Sequence, residues 1–140
     1  MNEKFKILTN FIKDMSSETP DVQSYLFVKE NISKYNLNIN ITSKPLKNKM
    51  IEVSTILKFE DKNSNEKRSN FEIVYISIIK IDESVKDKKE LEKIVICDLQ
   101  NKIYPKIEKI FLNLLDLSGF PDVKIEKKID FNKLYNERID

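Results

Sequence analysis

Cys97 is the only cysteine of this 140-residue chain, and the chain has no histidine. Those two facts settle most of the chemistry. Without histidine, a Cys–His nucleophile pair, a Ser–His–Asp triad and a His-ligated metal site are all excluded. A lone cysteine forms no internal disulfide and suits a reducing cytoplasm. Cys97 lies in the apolar stretch Ile94-Val95-Ile96-Cys97 and is followed by Asp98. A buried, inert thiol is expected there, because a reactive thiolate needs a basic neighbour or a helix N-terminus. Asp14 and Glu18 would be the natural general acid and base, but no apolar pocket or charged partner sets their pKa values apart. They read as exposed carboxylates at a strand end, worth little to stability. With one glycine, Gly119, there is no phosphate loop either. No enzymatic activity, cofactor or metal is expected.

The charge balance, 25 − 23 = +2, gives no field strong enough to steer the chain to nucleic acid. Its basic residues are lysines apart from Arg68 and Arg138, and base readers and phosphate clamps lean on arginine. Lys86, Lys88 and Lys89, like Lys124, Lys127 and Lys128, alternate with acids and read as solvated faces. The N-terminal run from Met1 to Asp14 is interrupted by charge every few residues, so it is neither a secretory signal nor a spanning helix. No later apolar run is long enough to cross a bilayer. The expectation is a cytoplasmic protein with no nucleic-acid partner and no membrane insertion. At 140 residues and 40% hydrophobic content, the chain suits a single domain over 1–140.

These residues must be carried by two kinds of element. The first half reads in twos. Phe5, Ile7, Thr9 and Phe11 mark one face of a first strand, Leu37 to Thr42 a second, Ile51 to Glu60 a third and Phe71 to Ile81 a fourth. Asp61 to Asn70 is a polar turn. Short links between strands predict an antiparallel sheet. One long connection, Ser16 to Ser33, contains Pro20, Tyr25, Leu26 and Phe27, and reads as a functional loop or a packed crossover.

The second half reads in threes and fours. Leu91, Ile94, Val95, Asp98 and Leu99 form one helical stripe, with Ser84 and Asp87 as caps. Ile103, Ile107, Ile110, Phe111, Leu114 and Leu115 form another. Pro105 belongs in the first turn of that second helix, or else kinks one long helix. Gly119 sits where a left-handed C-cap is wanted, and Pro121 forbids continuation. Asp130 caps a short last helix whose buried face is Phe131, Leu134 and Tyr135. The order ββββαα(α) is α+β, with helices on one side of a four-stranded antiparallel sheet. The fourth strand carries Ile73, Val74, Tyr75, Ile76, Ile78, Ile79 and Ile81 on both faces, where a rim strand would be polar on one. That surplus predicts self-association, a ligand groove, or both.

In sequence, these segments resemble the SecB protein-export chaperones over almost the whole chain. The resemblance rests on Lys13-Asp14-Met15-Ser16-Ser17-Glu18-Thr19-Pro20 at the end of the first strand and on the ungapped spacing from Phe71 to Tyr104-Pro105. Gly119-Phe120-Pro121 and Ile129-Asp130-Phe131-Asn132-Lys133-Leu134-Tyr135 complete it. It implies a homotetramer built as a dimer of dimers, with helices sandwiched between outer sheets. It also implies apolar grooves that hold unfolded precursor proteins and deliver them to the SecA motor. Tyr25, Leu26 and Phe27 of the crossover would face Phe131, Leu134 and Tyr135 across such a groove. The SecA-docking acids would fall on Asp14, Glu18 and Glu72. In the fourth strand the family has an aliphatic residue and then Glu, whereas this chain has Glu72 and then Val74. The family's crossover tryptophan is absent, Glu30-Asn31-Ile32 standing in that region, and the sequence pI of about 8.5 contrasts with the family's usual acidity. Two rival readings are a SecB-like chaperone dedicated to one client such as an antitoxin, and a dimeric α+β domain with a small-molecule or enzymatic pocket.

Overall fold

The computed structural model describes residues 4–61, 68–125 and 128–139. β1 (Phe5–Glu18), β2 (Asn36–Pro45), β3 (Met50–Glu60) and β4 (Asn70–Ile81) form one sheet in the order β1-β4-β3-β2, antiparallel throughout. Most of the polar turn expected after Asp61 lies outside the described residues. β3 and β4 show why the sequence folds this way. Ile51, Val53, Thr55, Leu57 and Phe59 are buried along one face of β3, and Phe71, Ile73, Tyr75, Ser77, Ile79 and Ile81 along the matching face of β4. Each fully buried aliphatic side chain there stabilises the sheet by roughly 1.5–3 kcal/mol.

Two expectations are corrected. The long connection after β1 is a helix, α1 (Val22–Asn31), followed by a 3-10 turn at Ile32–Lys34, so the order is βαβββ before the remaining helices. Asp21 caps α1, its side chain accepting from the Ser24 amide at 2.7 Å. This crossover carries the chain from one edge strand, β1, to the other, β2. β4 therefore lies inside the sheet and not at its rim, with β1 and β3 flanking its outward side chains, among them the buried Ile76. The second correction concerns β1. It has bulges between Ile7 and Thr9 and between Ile12 and Asp14. Phe5 and Ile7 share the helix side with Ile81 and Ile79, while Thr9 and Phe11 pair with Ile78 and Ile76 on the opposite face. The four do not form one face, because a bulge adds a residue and shifts the phase.

Beyond β4 the chain is helical from Lys88 to Leu117: α2 (Lys88–Lys93), a π turn (Ile94–Asp98) and α3 (Leu99–Leu117). The Asp87 side chain accepts from the Lys89 amide at 3.1 Å and caps α2. In the π turn Ile94, Val95, Ile96 and Cys97 are all buried, a run of four that one face of a regular helix cannot supply. Pro105 lies inside α3, so the long-helix alternative holds. Gln100, fully buried, donates to Thr55 Oγ1 at 2.9 Å and ties α3 to the sheet. At the other end of α3, Gly119 has φ +94, and a Cβ built on it would stand 2.6 Å from Tyr25 Cε1. Both backbone and space demand glycine. α4 (Phe131–Ile139) begins as expected at Asp130, whose carboxylate accepts from the Lys133 amide at 3.2 Å.

Candidate functional site

The six groove residues fall at two ends of α3. At its C-terminal end, Tyr25 from α1 donates its hydroxyl to Gly119 O at 2.7 Å and packs its ring 5.1 Å from Phe120. This ring clamps the turn that ends α3. Leu26 and Phe27 remain 56% and 41% exposed, so α1 turns an apolar face outward. One side of the Phe27 ring is covered by the Arg68 guanidinium, 3.8 Å from its centroid, a cation–π contact.

Phe131 is buried near the other end of α3, its ring 5.3 Å from that of Tyr104. Leu134 and Tyr135 are half-buried, and the Tyr135 hydroxyl donates to Lys89 O at 3.1 Å. The Cys97 thiol donates to Asn132 Oδ1 at 2.7 Å, and burial, helped by Asp98, raises its pKa. It is buried, as the sequence suggested, and serves as a peg for α4. Between α3 and the segment leading into α4 lies a cleft of about 420 Å³, lined by Tyr104, Pro105, Leu112, Ile129 and Phe131, with Lys109 and Lys128 among its polar residues. Burial pushes the Tyr104 hydroxyl up to about 12, and among the described residues it has no hydrogen-bond partner.

The structure thus brings Phe131, Leu134 and Tyr135 together on α4, and Tyr25, Leu26 and Phe27 on α1. Among the described residues, no ring contact or hydrogen bond joins the two sets. The 15 residues from Tyr104 to Gly119 separate them by roughly 20 Å along a helix rising 1.5 Å per residue. Sequence reasoning missed Tyr104, Leu112 and Ile129 as cleft residues. The aromatic before Pro105 was visible, but nothing in the helical stripe showed that the return segment would lie against it.

The carboxylates meet on the outer face of the sheet. Asp14 pairs with Val74, Ser16 with Glu72 and Glu18 with Asn70, which places Asp14, Glu18 and Glu72 on one side of the β1–β4 ladder. They border Phe11, 46% exposed, and the buried Ile76. No group of three or more His, Cys, Asp or Glu among the described residues could hold a metal. Among them, no helix is long and apolar enough to cross a membrane.

Residues 1–140 match the family described as preprotein translocase subunit SecB. The chain belongs to the SecB family. A relative from Pelagibacter ubique (strain HTCC1062), which bears the name of protein-export protein SecB, is 61% identical over 138 residues, 99% of each chain. The protein-export protein SecB of Bartonella bacilliformis is 27% identical over 140 residues, covering 99% of this chain and 86% of its own. Among solved structures, a Mycobacterium tuberculosis SecB-like chaperone in complex with a ChAD peptide from the HigA1 antitoxin superposes with a TM-score of 0.58. It covers 89% of this chain and 91% of its own at 11% identity, a likeness of fold. As a SecB protein the chain is a protein-export chaperone, not an enzyme.

Proposed function

We propose that residues 1–140 work as one cytoplasmic SecB unit, that four copies associate as a dimer of dimers, and that the assembly holds unfolded precursors and hands them to SecA. The observation that carries the client-binding part is the pair of apolar surfaces at the two ends of α3: the outward Leu26 and Phe27, and the Tyr104–Phe131 cleft. An extended chain covers about 3.3 Å per residue, so roughly six or seven residues of a client bridge the ~20 Å between them. Each contact is weak because a mobile chain loses entropy when held, and repetition over four copies supplies avidity instead. Self-association is supported by edge strand β1, where Leu8, Ile12 and Met15 stand 44%, 42% and 45% exposed. Asp14, Glu18 and Glu72 on the outer sheet face are the docking acids for SecA, leaving the clefts free for clients.

The double substitution Phe27→Ala with Tyr135→Ala tests this reading. It should leave a folded tetramer by light scattering and circular dichroism, yet aggregation of an unfolded client should be suppressed far less well. A variant that melts early, or one that protects the client as well as the parent, would overturn the placement of the groove.

A further inference from the structure

A second cleft, also about 420 Å³, lies away from both ends just described, between the β2–β3 hairpin and the approach to α2. Its apolar lining comes from Leu46, Met50, Ile51, Ile81, Val85 and Leu91. That volume is in the range of ligand clefts, roughly 300–1,000 Å³. Lys49 on the hairpin side and Lys86 and Lys88 on the α2 side supply its positive charge.

The hairpin wall is held in a costly shape. Asn48 and Lys49 have φ of 61° and 60°, the left-handed region that side chains with a Cβ avoid. Three backbone hydrogen bonds fix it: Leu46 N to Met50 O at 2.8 Å, Met50 N to Lys47 O at 3.3 Å, and Ile81 N to Lys49 O at 3.0 Å.

Of the nearby acids, Asp82, Asp87 and Glu90 have partners, while Glu83 is exposed. Asp82 accepts from Ser84 N at 3.1 Å and Ser84 Oγ at 2.5 Å, bonds that hold its carboxyl below the ordinary range, with Lys49 adding to the effect. Asp87, the acid in the lining, caps α2 through the Lys89 amide. Glu90 is ion-paired with Lys4. Among the described residues, Lys86 and Lys88 have no ion-pair partner.

We infer that this cleft binds an acidic peptide segment in which carboxylates flank apolar side chains. The apolar lining takes the side chains, and the lysines on both walls meet carboxylates on both sides of them. A single-headed anion would satisfy one wall only. Exposed lysines act through charge complementarity, so the interaction is fast, selective by sign and screened by salt. This site is separate from the client surfaces at the ends of α3.

The experiment titrates the intact protein with two labelled peptides, one alternating leucine and aspartate, the other alternating leucine and lysine. At low salt the aspartate peptide should bind roughly tenfold more tightly, and the preference should shrink as salt rises. The amide resonances of Leu46, Met50, Val85 and Leu91 should move. The triple variant Lys49→Glu/Lys86→Glu/Lys88→Glu should lose or invert the preference, whereas Phe27→Ala, on α1, should keep it. Equal affinity for both peptides, insensitivity to salt, resonance changes confined to α1 or α4, or an unchanged preference in the triple variant would each overturn the inference.

Discussion

At the C-terminal end of α3, aromatic rings form a continuous path into the core: Tyr25 to Phe120 at 5.1 Å, Phe120 to Phe71 at 5.7 Å, Phe71 to Phe59 at 6.1 Å and Phe59 to Phe111 at 5.3 Å. Near the other end, one ring pair, Tyr104 and Phe131, lies outside that path of rings; Phe131 is buried in the same core, Ile129, Leu134 and Tyr135 pack against it, and hydrogen bonds from Cys97 and Tyr135 help fasten α4. The first end shares its packing with the sheet and can open only when the fold does. The second sends no further rings into the sheet, so α4 is expected to open more readily than the sheet does. For a protein that must take up and release other chains, the expectation is a firm wall at the Tyr25–Phe120 turn and a more yielding one at α4.

The sharpest way to break this contrast is to remove one buried ring from each end. Phe71→Ala should cost about 3–5 kcal/mol of global stability, measured by urea denaturation, because the ring is 1% exposed and touches three others. Phe131→Ala should instead release α4, seen as fast amide exchange over Phe131–Ile139 with the sheet still protected. If both substitutions lower the global midpoint equally, α4 does not open ahead of the sheet.

Alkaline titration gives the next largest effect and also samples both ends. Burial pushes Tyr35, beside Phe59, and Tyr104, beside Phe131, up to about 12. The fold thus retains protons that the unfolded chain releases above its ordinary value of 10. Stability should be unaffected by these groups below that pH and fall as pH climbs toward 12, by on the order of 2 kcal/mol for each. Tyr35→Phe should flatten the global loss, while Tyr104→Phe should flatten the loosening of α4. The smallest effect belongs to Tyr104→Phe at neutral pH. Removing a buried hydroxyl that has no partner among the described residues should leave stability unchanged or raise it by less than about 1 kcal/mol. A clear loss would show that the hydroxyl has an acceptor.

The sheet and the long helix were legible in the sequence because single residues report burial there: β-branched alternation in β3, the Ile103–Leu115 stripe, Gly119 at a left-handed cap and Asp130 at a helix start. α1 was not legible. Only Ser24 and Val28 of its ten residues are buried, so no stripe distinguishes it, and its one local signal is Asp21 after Pro20. The central place of β4 was also hidden, since strand order depends on where the crossover lands. Of the site, the sequence showed which side chains are apolar and which are acidic. It did not show that α1 and α4 lie at opposite ends of α3, because that separation is set by where Ile129 and Phe131 come to rest against Tyr104 and Leu112.

The two bulges in β1 make that strand tolerant of changes in length. Leu8 and Lys13 are the residues without a cross-strand partner, so the pairs on either side of each already alternate as an unbulged strand would. Losing Lys13 would shorten the chain by one residue while leaving Ile12 facing the helices and Asp14 and Glu18 facing outward. The same loss within β3, which pairs residue for residue with both neighbours, would turn every later side chain to the wrong face. Insertions and deletions should therefore accumulate at the edge strand, and the interior of the sheet should keep its length.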